Sequence, residues 1–228
     1  MIMKKIILTL FFLFSVFTLS NISEGLAEDS GVNESNTYLN EKIAKLQEEI
    51  YVRSLIQHIE FESEIIIPTY FDVKYVKFAY NLADTLEIPT RTAFRLIYKE
   101  SCFRDTVTSP MGAYGLMQLM PDTRRFYRSV LRSDTLNLDR NSEDIYIGLN
   151  MVKDLYGFWR ERGNSEKYSW KLALASYNAG KGTVLKSKGV PQIKETTDFL
   201  AFILRTHSNP EFFASYIRKY ENTVKDNS

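Results

Sequence analysis

The chain has 228 residues and a formal net charge of +1, from 29 Lys and Arg against 28 Asp and Glu. That balance gives no reason to expect nucleic acid or a strong membrane-surface field, and the single cysteine, Cys102, excludes an internal disulfide. The two histidines, His58 and His207, have no Cys or carboxylate at ligand spacing, so neither a metal nor a cofactor is expected.

In chain order, Lys4 and Lys5 precede an uncharged apolar run at 6–19, followed by the small and polar residues Ser20, Asn21, Ser23 and Gly25. This is the layout of a secretory signal peptide. The run is shorter than the roughly 20 apolar residues a spanning helix needs, so residues 1–27 are expected to be removed. Gly25 and Ala27 supply the small-x-small cleavage signal, and an uncleaved leader would instead anchor the chain to a membrane. The mature chain is then expected to be exported, either periplasmic or associated with the cell wall.

The next segment, 28–71, divides into a spacer, a helix and a linker. Residues 28–36 are acidic and polar and read as a disordered spacer. Leu39, Ile43, Leu46 and Ile50 then recur at alternating four- and three-residue steps, and Leu55, Ile56 and Ile59 extend the stripe. That is an amphipathic helix, and its heptad pattern breaks at Arg53, too early to sustain a coiled coil. Its stripe from Leu39 to Ile59 reads as a face packed on the domain, with a protein partner as the alternative. Residues 64–71, with Pro68, link it to the domain proper.

From 72 onward the pattern is helical throughout. Val76, Ala79, Leu82 and Leu86 give a helix at 73–86, and Thr90 is placed to cap the one carrying Phe94, Ile97 and Glu100. Pro121 opens a short helix to 126, and 134–141 reads as loop. Asn141 and Asp144 are placed to start a helix with a stripe at Ile145, Leu149, Val152, Tyr156 and Trp159, ending at Arg160. Further helices are expected at 170–177 and 193–206, and Asn209-Pro210 begins the last. No strand alternation or repeat is present, so the fold class is all-α.

Chemistry-bearing residues concentrate where the helix ending at Glu100 and Ser101 gives way to a loop and then a Gly-rich apolar segment. Glu100-Ser101, SPMGAYGLMQLMP at 109–121, ASYNAG at 175–180 and ETTDF at 195–199 occur in that order. Together these blocks resemble the lytic transglycosylase (SLT) domain of the goose-type lysozyme superfamily, over about 73–207. The resemblance implies a lysozyme-like multi-helix catalytic domain at 72–207, preceded here by the extra amphipathic helix and followed by a C-terminal helix and tail at 208–228. It implies peptidoglycan glycan strands as the partner.

The implied reaction cleaves the β-1,4 bond between N-acetylmuramic acid and N-acetylglucosamine and leaves a 1,6-anhydro sugar. One Glu serves first as acid and then as base, where an ordinary glycosidase uses two carboxylates. Glu100 matches that catalytic residue. Ser109 and Gln118 match positions that hydrogen-bond the sugar, Met120 a cleft wall, Tyr177 a ring that steadies the charged intermediate, and Asn178 its polar neighbour. Protonating a glycosidic oxygen near neutral pH requires a Glu pKa raised towards about 6, for which the apolar 115–120 wall is a candidate setting.

Two departures from the family pattern are visible. Phe199 stands where Tyr is usual and Asp144 where Asn is common, which bears on subsite affinity but leaves the acid in place. Two other functions fit parts of the sequence. A hydrolytic lysozyme on the same fold would need Asp105, Asp122 or Asp144 to hold water, and a non-catalytic peptidoglycan-binding module would tolerate loss of Glu100.

Overall fold

The computed structural model describes residues 33–206 and 209–225; the expected leader at 1–27, spacer residues 28–32 and His207 lie outside the described residues. The chain divides into two compact units, 1–58 and 59–228. Helix α1, Asn33–Ser63, runs through the boundary, beginning inside the stretch expected to be spacer and continuing past Arg53 without a break. In the first unit Leu39, Leu46 and Ile50 are exposed, whereas Leu55 is buried. Among the described residues no helix is long and apolar enough to cross a membrane.

The second unit is built of α2 (Val73–Thr85), α3 (Thr90–Ser101), α4 (Pro121–Leu131), a 3-10 turn at Ser133–Thr135, α5 (Arg140–Arg160), α6 (Glu166–Ala179), α7 (Lys181–Lys186), α8 (Lys194–Leu204) and α9 (Pro210–Lys225). Among the described residues the β content is two isolated bridges, Thr108 with Tyr114 and Tyr114 with Leu119, so the domain is all-α as expected. The antiparallel pair α5 and α6 forms the broadest helix contact, and α3 packs against α2 and α8.

Helix α3 is buried almost all round, through Thr92, Ala93, Phe94, Arg95, Leu96, Ile97 and Ser101. A helix apolar on every face belongs in the centre of a core, yet this one carries an arginine with no exposed surface. Arg95 Nε donates to Ser63 O at 2.6 Å, and Nη1 donates to Ile203 O at 3.2 Å and Arg205 O at 2.8 Å. Glu64 stands 3.4 Å from Arg95 Nη2, and its carboxylate also accepts from the Asn209 amide at 3.2 Å. Burial lowers the Arg95 pKa to about 10, which still leaves it charged at neutral pH. The end of α1, the centre of α3 and the end of α8 therefore meet on one guanidinium.

A second carboxylate, Glu60, is fully buried and accepts from Ile67 N at 2.7 Å, Lys219 Nζ at 2.6 Å and Tyr220 Oη at 2.6 Å. It fastens α9 to the 64–71 segment. That segment is non-helical from Ile65 to Pro68, in keeping with its reading as a linker.

Several helix starts differ from the sequence reading. Pro89, not Thr90, occupies the N-cap of α3, because its carbonyl takes the amides of Thr92 and Ala93 and Thr90 is already helical. Asp139 caps α5 by accepting from Ser142 N at 2.9 Å, while Asn141 donates to Asp105 at 2.8 Å and Asp144 turns into the core. Helix α4 runs to Leu131, five residues past the expected end at 126, since Arg128 in its last turn forms a two-point ion pair with buried Glu143 at 2.9 and 3.0 Å. Ser165 caps α6, which begins at Glu166, four residues before the expected 170, and Gly180 at φ +84 separates it from α7, a helix the sequence did not announce.

Candidate active site

Glu100 sits in the last turn of α3, one residue before Ser101, whose hydroxyl donates to Ile97 O at 3.2 Å. The helix is stopped by Cys102 and Phe103, both left-handed at φ 51 and 62, and Tyr70 Oη donates to Cys102 O at 2.8 Å. Two successive non-glycine residues in this region are costly, and here they turn the chain sharply away from α3. Phe103 then packs against Phe71, with ring centroids 4.8 Å apart.

Burial raises the Glu100 pKa to about 8; the Glu195 carboxylate adds to the rise and Lys99 opposes it. The C-terminal end of α3 carries the negative pole of the helix, which also disfavours a carboxylate. Among the described residues no hydrogen bond to the Glu100 side chain stabilises its charged form. Burial, the helix pole and Glu195 thus all favour the protonated carboxyl.

The Gly-rich loop after α3 folds on itself. Ser109 N donates to Ala113 O at 2.8 Å, and Ala113 N returns a bond to Ser109 Oγ at 3.0 Å. Gln118, at φ 44, spends its amide nitrogen on Val107 O at 2.9 Å and Gly115 O at 3.0 Å. Both residues thus brace the loop, and what each keeps for a ligand is the Ser109 hydroxyl proton and Gln118 Oε1. Met120 is 41% exposed at the N-cap of α4.

Tyr177 near the end of α6 donates its hydroxyl to Met117 O at 2.7 Å. Burial lifts its pKa well above the usual 10, and Glu100 and Asp144 both act on it through their charge. The hydroxyl bond joins the ring on α6 to the loop. Asn178 Oδ1 accepts from Thr196 Oγ1 at 2.8 Å, joining α6 to the first turn of α8 beside Glu195. Among the described residues no hydrogen bond links Glu100 to Ser109, Gln118, Met120 or Asn178. Phe199 is 2% exposed on α8.

Of the three aspartates considered for hydrolysis, Asp105 and Asp122 are exposed and Asp144 is buried. Asp105 accepts from Asn141, Asp122 pairs with Arg125 at 2.7 Å, and Asp144 is buried against Arg124 and the Met117 amide. Among the described residues no cluster of His, Cys, Asp and Glu could hold a metal ion.

Sequence reasoning did not find Arg124 or Gly148. A Cβ at Gly148 would lie 2.5 Å from Met117 Cε, so α5 must be bare there for the loop to seat. The signal was a lone glycine inside a helix, a position that costs about 1 kcal/mol unless packing requires it. Gly115, at φ +85, is stricter, since a Cβ there would collide with the Asp144 carboxylate. Gly115→Ala is therefore expected to lower stability by about 1–3 kcal/mol, from left-handed strain plus displacement of Asp144. Urea denaturation would measure it, and a variant as stable as wild type would show that the loop does not need this close approach.

A family model for the transglycosylase SLT domain matches residues 78–200, more than half of the chain, and that span contains every site residue named above. The membrane-bound lytic murein transglycosylase F of Citrobacter koseri is 28% identical over 128 residues, 56% of this chain and 21% of that protein. The chain thus covers about a fifth of that relative's length. The four motif blocks, the all-helical fold and the extent of the match agree: this chain belongs to the transglycosylase SLT domain family.

Proposed function

We propose that the chain is a peptidoglycan lytic transglycosylase, exported to the envelope, that uses Glu100 as both acid and base. What supports this reading is the placement of Glu100 at the end of a buried helix, where burial pushes its pKa up to about 8. Glu100 donates its proton to the oxygen linking N-acetylmuramic acid to N-acetylglucosamine as that bond breaks. The sugar's 2-acetamido group assists the developing cation, and the Tyr177 ring stands beside it. The Glu100 carboxylate then takes the proton of the C6 hydroxyl, whose oxygen closes the 1,6-anhydro ring, and water is not consumed. Ser109 and Gln118 hold the sugar through the atoms their loop bonds leave over, Met120 forms the cleft wall, and Asn178 steadies that wall through α8.

The domain limits follow the same reading: catalytic domain at 72–207, C-terminal helix and tail at 208–228. The α1 stripe from Leu39 to Ile59, exposed at Leu39, Leu46 and Ile50, is a candidate surface for a protein partner. The defining experiment is mass spectrometry of purified peptidoglycan digested with the mature chain, beside a Glu100→Gln control. Anhydro-muropeptides from the wild type alone are expected. Reducing muropeptides would move the activity to hydrolysis, and no products from either folded protein would leave a binding module.

The acid is tuned in part by Glu195, which is exposed on α8. Glu195→Gln removes that charge and is expected to lower the Glu100 pKa, moving the alkaline fall in kcat to lower pH. A pH–rate profile of release from insoluble peptidoglycan reads this directly, and an unmoved alkaline limb would mean that burial alone sets the acid.

A further inference from the structure

We propose that Asp144 and Arg124 form a positioning pair that holds the 115–118 wall in register with Glu100, through the backbone of Met117. The proposal rests on the reading of Glu100 given above. Met117 is gripped on both sides: its N–H donates to Asp144 Oδ2 at 3.1 Å and its carbonyl accepts the Tyr177 hydroxyl at 2.7 Å. Its fully buried side chain lies over Gly148, and Gly115 lies over the Asp144 carboxylate. One carboxylate therefore fixes the height of the whole wall.

A carboxylate 2% exposed is costly unless it is neutralised, and burial pushes the Asp144 pKa up against the pull of Arg124 and the Met117 amide. Arg124 supplies the counter-charge from α4 and also donates to Tyr114 O at 3.3 Å. It thus ties α4, the loop and α5 together at one point. An amide at 144 could accept from Met117 N–H without any cation. With the carboxylate present, the guanidinium becomes necessary to the wall. Tyr177 holds the Met117 carbonyl and feels the charges of both Asp144 and Arg124, so a shift of the pair is passed to the ring as well as to the wall.

The test uses Asp144→Ala, which removes the acceptor, Arg124→Gln, which leaves the buried carboxylate without its cation, and the double variant Asp144→Asn with Arg124→Gln. Misplacement by about 1 Å costs on the order of 100-fold in rate, so each single variant is expected to lower kcat about 10- to 100-fold with little change in KM. Each is also expected to speed hydrogen exchange at the Met117 amide. The double variant should recover kcat about tenfold over the poorer single, because Asn accepts from Met117 N–H and no buried charge is left unpaired.

Singles that lower Tm but keep wild-type kcat at a temperature where they are folded would overturn the proposal. So would a double variant no better than the poorer single, or unchanged exchange at Met117. If the wild type yields no anhydro-muropeptides, the functional reading fails by itself, and the exchange rates in the same variants still decide whether the pair holds the wall.

Discussion

Glu100→Gln is expected to reduce release of anhydro-muropeptides by about 10³-fold or more, since proton transfer from a positioned acid contributes 10²–10⁴ and here one group performs both transfers. The same substitution is expected to stabilise the fold at high pH. Glu100 has a folded-state pKa of about 8 against an ordinary value of 4.5. A carboxyl with a raised folded pKa contributes fully below its unfolded pKa and loses that contribution as pH climbs through the folded value. Near pH 4 wild type and variant should therefore unfold alike.

Between pH 4.5 and about 8 the wild type weakens relative to Gln, and above that the difference is constant. Each tenfold change in proton affinity is worth about 1.4 kcal/mol, and partial solvent access reduces the total, so the expected gain at pH 9 is about 1–3 kcal/mol. Thermal unfolding at pH 4 and pH 9 measures it. A variant equally stable relative to wild type at both pH values would show that Glu100 is not held neutral, removing the physical basis of its role as acid. The activity profile of the wild type carries the matching sign, with kcat falling as pH rises through about 8.

Arg95→Ala is expected to cost about 3–5 kcal/mol, the usual penalty for breaking a buried charge network by removing one partner. Its guanidinium serves Ser63 O, Ile203 O and Arg205 O and stands against Glu64, which is 6% exposed. Removal leaves those carbonyls without their donor, leaves Glu64 to Arg205 and the Asn209 amide, and opens a cavity beside Phe94 and Leu96. For a domain of this size Tm should fall by roughly 10 °C. Because α3 carries Glu100 and α8 carries Glu195, the separation of these two carboxylates also loosens. Arg95→Met with Glu64→Gln, which fills the space and removes the charge, is expected to recover at least half of the loss. Calorimetry on the three proteins decides this, and a single variant within 1 kcal/mol of wild type would show that the three carbonyls find water instead.

What the sequence determined by itself was everything set by local pattern. Helical periodicity gave the all-α class, Gly180 and Pro210 punctuated the chain as they do in the structure, and four short blocks carried the family without any coordinates. The acid was legible because a helix visibly ended at Glu100 beside a Gly-rich segment. Its protonation was not, since that follows from burial, from the pole of α3 and from Glu195, 95 residues later in the chain. Helix boundaries slipped at Pro89 and Asp139 because the carbonyls and amides that choose a cap are settled by neighbouring packing as much as by side-chain type.

Only the tertiary structure could decide what Asp144, Arg124 and Arg95 do. In the sequence Asp144 is one more acidic residue at a helix start and the arginines are two of many; in the fold, Asp144 grips Met117 from 27 residues away and Arg95 grips Ile203 from 108. A buried charge has meaning only through the partners that replace its lost water, and those partners come together only when distant segments pack.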